Sequence, residues 1–284
     1  MRKLVQVSLA LLLIGAAVLV AFQVLFPKER EPAYQGKALR VWLREYVFVV
    51  GEDEEVAATH KRTEDAVRHI GTNAIPTLLK MLRKQDSPTL TKMFDLWCYI
   101  NSNRRVRAWT GPWRMPAWFK NRAECVQAEG AFGFKILGPD ARQAVPALTE
   151  LCGQYNSTNP LMVTASQMSV LEALIGIGPA ATPSFLRWAA SSNQSDRTCG
   201  VIGLWKVRNV PSVAVPVLAA SLSDANGNIR VTAAAALGDY GSEARQAVPA
   251  LELLLNDPSE LVRSSTTAAL RKIDPEAAAK AGVH

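Results

Sequence analysis

The octamer ARQAVPAL at residues 141–148 recurs letter for letter at residues 244–251, 103 positions downstream. Two weaker echoes lie between the copies, Ala-Thr-Pro at residues 181–183 and Ala-Val-Pro at 214–216. Marker prolines therefore fall at Pro146, Pro183, Pro216 and Pro249, spaced 37, 33 and 33 residues apart. Each copy reads as apolar helix, turn, apolar helix. A period of this size constrains the fold, because one helix pair cannot bury its own apolar face and must stack on its neighbours as a solenoid. Such an array offers extended surface in place of an enclosed catalytic pocket.

The last unit, residues 247–274, is the clearest. Pro249 falls in the first turn of a helix, where its missing N–H is no loss. Leu251, Leu254 and Leu255 follow at helical spacing, and Asn256-Asp257-Pro258-Ser259 stops that helix and caps the next. The second helix is expected to turn Leu261, Val262, Thr266, Ala269, Leu270 and Ile273 toward the core. Residues 214–241 read the same way. In both units an aspartate precedes an arginine by six residues, Asp224 with Arg230 and Asp257 with Arg263. Pro76 opens a further first helix, whose Asp86 is followed six residues on by Lys92, a substitution that keeps the charge and loses the planar fork. The units beginning at Ala144 and Ala181 lack the pair; Asn156 and Asn159 stand in one turn, and the adjacent Asp196 and Arg197 in the other.

Proline early in the first helix, aspartate in the turn and valine-arginine opening the second helix resemble the HEAT-repeat family. That resemblance implies an all-α fold, a right-handed α-solenoid of HEAT-like helix pairs. It also implies a ladder of aspartates and arginines between successive turns, here Asp224, Arg230, Asp257 and Arg263, restricted to the C-terminal units. A simpler role for the same residues is turn capping by aspartate beside a solvated arginine.

Residues 4–27 carry no charge and are apolar apart from Gln6, Ser8, Gln23 and the closing Pro27, which is long enough to span a bilayer. No small-residue exit follows, so the solenoid is expected to be preceded by one transmembrane helix, an uncleaved anchor. The chain then divides into an anchor and neck, residues 1–30, and a solenoid, residues 31–284. Arg2 and Lys3 favour a cytoplasmic N-terminus, and Lys28, Arg30, Lys37, Arg40 and Arg44 on the other flank oppose it; long downstream domains cross largely regardless of flanking charge. The solenoid is placed on the extracytoplasmic, periplasmic side. Cys98, Cys125, Cys152 and Cys199 form no C-x-x-C pattern and sit in apolar helical contexts, as core thiols do.

After the neck, Leu39, Trp42, Leu43 and Tyr46 share one helical face, which suits a helix capping the first repeat. The stretch Tyr34, Gly36, Lys37, Leu39, Trp42 and Leu43 is similar to one found after the anchor in membrane-anchored bacterial HEAT-repeat proteins. Four carboxylates, Glu52 to Glu55 with Asp53 among them, open the next helix, where they suit the positive end of its dipole. No calcium-loop pattern surrounds them. His60 and His69, nine apart, have no partner at metal-ligand spacing.

From Pro76 to Pro146 the gap is 70 residues, close to two periods, so a further unit is expected between them. Its second helix is visible over residues 120–137. Its first is replaced by an irregular insertion, residues 101–119, broken by Gly111-Pro112 and Pro116. Arg104, Arg105, Arg107, Arg114, Lys120 and Arg122 follow one another here with no acid between Asp95 and Glu124, in a chain of net charge +7. Trp109, Trp113 and Trp118 interleave with them. Arginine with tryptophan outside a helix is the composition of binding hot spots, membrane interfaces and nucleic-acid platforms. The candidate partner surface is therefore Arg104, Arg105, Arg107, Trp109, Trp113, Arg114, Trp118 and Arg122. The same tryptophans could instead fold back as a lid over the gap left by the missing helix.

No nucleophile elbow, phosphate-binding loop, His-Glu-x-x-His or Cys/His pair with an orienting acid is present. No enzyme activity, metal or cofactor is implied. The expected function is a non-catalytic protein–protein interaction scaffold, a membrane-tethered binding module with an unknown protein partner. The alternative is a basic HEAT-like nucleic-acid binder or DNA glycosylase-like enzyme, with Asp95 beside Trp97 as the acid. A membrane anchor disfavours nucleic acid, and resemblance to HEAT-like bilin lyases lacks a suitably placed cysteine or histidine.

Overall fold

The computed structural model describes residues 31–49, 51, 53–87, 89, 91–93, 96, 122–155 and 163–282. The apolar segment 4–27 lies outside them, and among the described residues no helix is long and apolar enough to cross a membrane.

The first element is one that helical periodicity does not announce, a two-stranded antiparallel hairpin of β1 (Ala33–Tyr34) and β2 (Lys37–Ala38). Its turn residues Gln35 and Gly36 are both left-handed, at φ 50° and 74°, the geometry of a two-residue hairpin loop. The rest of the described chain is helical: α1 (Leu39–Phe48), α2 (Glu54–Ile70), α3 (Ile75–Leu82), α4 (Ala123–Leu137), α5 (Val145–Gln154), α6 (Ala165–Ile177), α7 (Thr182–Ala189), α8 (Gln194–Val207), α9 (Pro211–Ser221), α10 (Gly227–Tyr240), α11 (Val248–Leu254), α12 (Glu260–Ile273) and α13 (Pro275–Lys280). They pair as α1/α2, α3/α4, α5/α6, α7/α8, α9/α10 and α11/α12, with α13 packed on α12. Their buried residues, from Leu39 to Ala278, form one continuous core.

The repeated octamer has a structural explanation. At the end of α10, Gly241 takes φ 58°, which reverses the chain without the penalty a Cβ would bring. The following residues, Gly241–Ala247, wind as a 3-10 turn that drops Ala244 and Ala247 into the core before Pro249 enters the first turn of α11. Gly138–Ala144 before α5 does the same with Ala141 and Ala144, and Pro179–Ala181 before α7 is a shorter version. Pro146, Pro183 and Pro249 all lie in first turns, as does Pro76 in α3.

Pro216 departs from the expected first-turn position and sits inside α9. Here Pro211 occupies the start of the helix with its fixed φ, so the residues that wind as a 3-10 turn elsewhere are already α-helical and the marker proline falls a turn late. Ala214 still keeps its buried place in the repeat. Leu261 also departs from expectation: it is 67% exposed, while Val262 beside it is buried.

The pairing of α3 departs from expectation. Helix α3 packs directly on α4, so the two are partners in one unit. In sequence, residues 83–122 connect the two helices of that unit, and most of them lie outside the described residues. The length of the gap from Pro76 to Pro146 does not reveal that pairing.

The second helices α4, α6, α8, α10 and α12 form one layer and the first helices the other, and the second-helix layer is the more closely packed. Two small residues permit this. A Cβ on Gly176 of α6 would stand 2.6 Å from the Lys135 Cα of α4, and one on Gly238 of α10 would stand 3.0 Å from the Ala269 Cα of α12. A stack whose two layers differ in spacing bends toward the tighter layer, so the second helices line the concave side.

Close approach within a unit gives a paired prediction. A Cβ on Gly200 of α8 would lie 2.3 Å from the backbone nitrogen of Ala189 and 2.7 Å from the Phe185 carbonyl oxygen, whereas one on Gly153 of α5 would meet nothing within 4 Å. Gly200→Ala is expected to lower stability by about 1–3 kcal/mol through overpacking. Gly153→Ala is expected to raise it by about 0.5–1 kcal/mol through helix propensity. Thermal melts of the two variants should move in opposite directions.

Candidate partner-binding surface

The turns between first and second helices carry a chain of ion pairs, with pairings different from those read off the sequence. Arg197 in α8 directs Nε and Nη2 at the two oxygens of Asp224, at 2.6 and 3.2 Å. Its Nη1 donates to the Ser191 and Ser192 carbonyls of its own turn, at 3.2 and 2.9 Å. Arg230 in α10 repeats the arrangement one unit on. Its fork meets Asp257 at 2.9 and 3.0 Å, and its Nη1 meets the Asp224 and Ala225 carbonyls at 2.8 and 3.2 Å.

Each arginine thus crosses to the aspartate of the following unit, and the six-residue spacing reports a bond from arginine to the backbone carbonyl of its own turn. Arg263 makes the same own-turn bonds, to the Asp257 and Pro258 carbonyls at 2.7 and 3.2 Å. The ladder therefore begins one unit earlier than the C-terminal pairs, at Arg197. Capping coexists with pairing: Asp224 Oδ1 accepts the Asn226 amide and Asp257 Oδ1 the Ser259 amide, each at 2.8 Å.

Electrostatics follow from this geometry. Burial pushes the Asp224 carboxyl up, but the Arg197 hydrogen bond, the Asn226 amide and the two guanidinium charges outweigh it and leave it below the usual carboxylate range. Asp257 is lowered chiefly by its bond from Arg230.

Asp86 also departs from the expected pairing. Its partner is Arg122, with Nε 2.9 Å from Oδ2, and its Oδ1 accepts the amide of Ala123 at the start of α4. Arg122, grouped by sequence with the cations of the insertion, is only 6% exposed and, with Asp86, ties the end of α3 to the start of α4. Arg104, Arg105, Arg107, Trp109, Trp113, Arg114 and Trp118 lie outside the described residues.

Unit one is joined to unit two through Glu129 of α4, a buried carboxylate whose Oε1 lies 3.2 Å from Arg44 Nε in α1. Burial raises its pKa against the pull of Arg44. His60 Nε2 lies 3.1 Å from the Tyr46 carbonyl oxygen and its ring packs on Tyr46, which explains it as a structural group. Cys152 and Cys199 are free and buried in the core. Among the described residues no group of three His, Cys, Asp or Glu side chains could hold a metal ion.

The concave side presents a different chemistry. Phe132 of α4, Ile175 of α6 and Trp205 of α8, all partly exposed, line its clefts, and helical spacing puts the partly exposed Ile202 one turn from Trp205 and Val231 one turn from Ala235 on the same side. A cleft of about 450 Å³ opens between α4 and α6, with Lys206 of α8 at its edge, and a smaller one of about 230 Å³ lies between α8, α10 and α12. In the second, Trp205 Nε1 donates to Asp239 Oδ2 at 2.9 Å, and Lys272 Nζ donates to Oδ1 at 2.9 Å. Lys272 and Trp205 hold Asp239 below the usual carboxylate range. Sequence reasoning passed over this triad, although its members stand close to one period apart. A larger depression, about 510 Å³, lies on the outer layer between α5 and α7, but it is confined to two helices and its Thr149 and Ser184 hydroxyls already bond each other at 2.9 Å.

The stacked helix pairs, buried repeat alanines and arginine ladder define a repeat solenoid. A family model for HEAT repeats matches residues 215–281, the last two units. These two units are similar to HEAT repeats. No curated protein matches it.

Proposed function

We propose that the protein is a non-catalytic scaffold, anchored in a membrane by residues 4–27. Its right-handed solenoid lies on the extracytoplasmic side and holds a protein partner against the concave face. The observation that carries this reading is the half-buried apolar stripe across successive second helices, a surface for an extended partner. The arginines and tryptophans in the chain between α3 and α4 supply a second contact in the same reading. This reading takes Arg104, Arg105 and Arg107 as solvated, so changing them to Ala is expected to weaken partner capture while leaving the melting temperature nearly unchanged, since solvated charges contribute little to folding.

Photo-crosslinking in native membranes tests the scaffold. A crosslinking residue in place of Ile202 on the concave face is expected to trap a discrete protein, and one in place of Leu253, 77% exposed on a first helix, is not. Equal trapping from both positions, or none from Ile202, rules the reading out. The anchor is tested separately: the full chain should remain in the membrane pellet after alkaline extraction, and a chain lacking residues 1–30 should not.

A further inference from the structure

Trp205 is held by residues from three successive units. Its indole N–H is fixed on Asp239, Asp239 is fixed by Lys272, and Arg208 Nη1 donates to the Asp239 carbonyl at 3.2 Å. An aromatic side chain locked in this way has already lost its rotamer freedom, so a partner packing on it meets no further ordering cost there. Tryptophan is also the residue most enriched at binding hot spots.

The charges around it are unequal in kind. Asp239 is committed to Trp205 and Lys272. Lys206 Nζ stands 4.4 Å from the Trp205 ring centroid, and Lys135 Nζ stands 5.8 Å from that of Phe132. Neither lysine is ion-paired among the described residues, and Glu172 is the one carboxylate beside them in the larger cleft. The groove therefore alternates aromatic or aliphatic surface with lysines that make no ion pair among the described residues.

We infer that the concave groove receives an acidic amphipathic segment of a partner protein, its apolar side chains seated on Phe132, Ile175 and Trp205 and its carboxylates against Lys135 and Lys206. This rests on the scaffold reading and adds the partner's chemistry to it. A nucleic-acid backbone fits poorly, because Glu172 and Asp239 interrupt the cations and the clefts are lined mostly by apolar atoms. A bilayer surface cannot follow the inside of a curved array.

The test is selection of a random peptide library, displayed on phage, against the immobilised full chain. Acidic sequences carrying at least two large apolar residues are expected to be enriched, and their affinity should fall as salt rises. The Lys135→Glu, Lys206→Glu double variant is expected to weaken the selected peptides by about tenfold or more and to enrich basic sequences instead, with an unchanged melting temperature. Trp205→Ala should abolish selection; if that variant unfolds, the charge-reversed variant decides alone. Enrichment of basic or uncharged peptides, no enrichment at all, or undiminished binding to the charge-reversed variant overturns the inference. If Ile202 still crosslinks a partner in membranes after such a result, the scaffold stands and only the partner's chemistry was wrong. Loss of both removes the scaffold as well.

Discussion

Replacing Asp86 with alanine is expected to destabilise the second unit by about 3 kcal/mol, because it removes the buried carboxylate that pairs with a buried guanidinium. Asp86 and Arg122 side chains are each 8% exposed, and the carboxylate also accepts the Ala123 amide at the head of α4. In α9/α10 and α11/α12 only a few residues separate the turn aspartate from the second helix. Here residues 83–122 separate the two helices in sequence, and a longer connection holds its two helices together less firmly. Repeats contact only their neighbours, so the damage should be local. Hydrogen exchange should speed up in α3 and α4 while α10 and α12 keep their protection. Asp86→Asn retains an acceptor for Ala123 and should fall between wild type and alanine. Unchanged protection in α4 would show that packing of α3 on α4 alone holds the two helices together.

Much of this fold is legible in the chain because the repeat writes its own punctuation. Gly71, Gly138, Gly178 and Gly241 each end a second helix at positive φ, and three of the four marker prolines fall where a helix begins. Pro216 was misplaced because Pro211 had started its helix a turn earlier, a competition between two local signals. Connectivity was misread because length counts residues between helices and cannot say which helices pack together.

The ladder partners were hidden for a related reason. Arg197 and Asp224, like Arg230 and Asp257, are 27 residues apart, a separation fixed by how units stack and invisible to spacing within a turn. The Trp205–Asp239–Lys272 triad had a usable signal, since its members are 34 and 33 residues apart. Aligning the units on their prolines and asking which polar side chains share a register would have found it. Nothing comparable marked Glu129 as buried, because its neighbour Arg44 lies 85 positions away.

Acid is expected to dissolve the ladder in a defined order of cause. Asp224, Asp239 and Asp257 all have folded-state pKa values below those of an unfolded chain. Their contribution to stability is complete above the unfolded carboxylate value, about 3.9, and is lost as the pH falls through the lower folded values. Arg197→Gln removes the bidentate partner of Asp224, so at neutral pH it should cost about 2 kcal/mol, the scale of charge-assisted hydrogen bonds. As the pH falls through the lowered folded-state value of Asp224, that difference should shrink. It should not vanish, because Arg197 also bonds the Ser191 and Ser192 carbonyls, which do not titrate. Urea midpoints of the two proteins across the acid range measure both parts. A gap that stayed constant from neutral pH to pH 2 would mean that the arginine acts through its carbonyl bonds and packing, and that the charge of Asp224 adds nothing to holding one unit on the next.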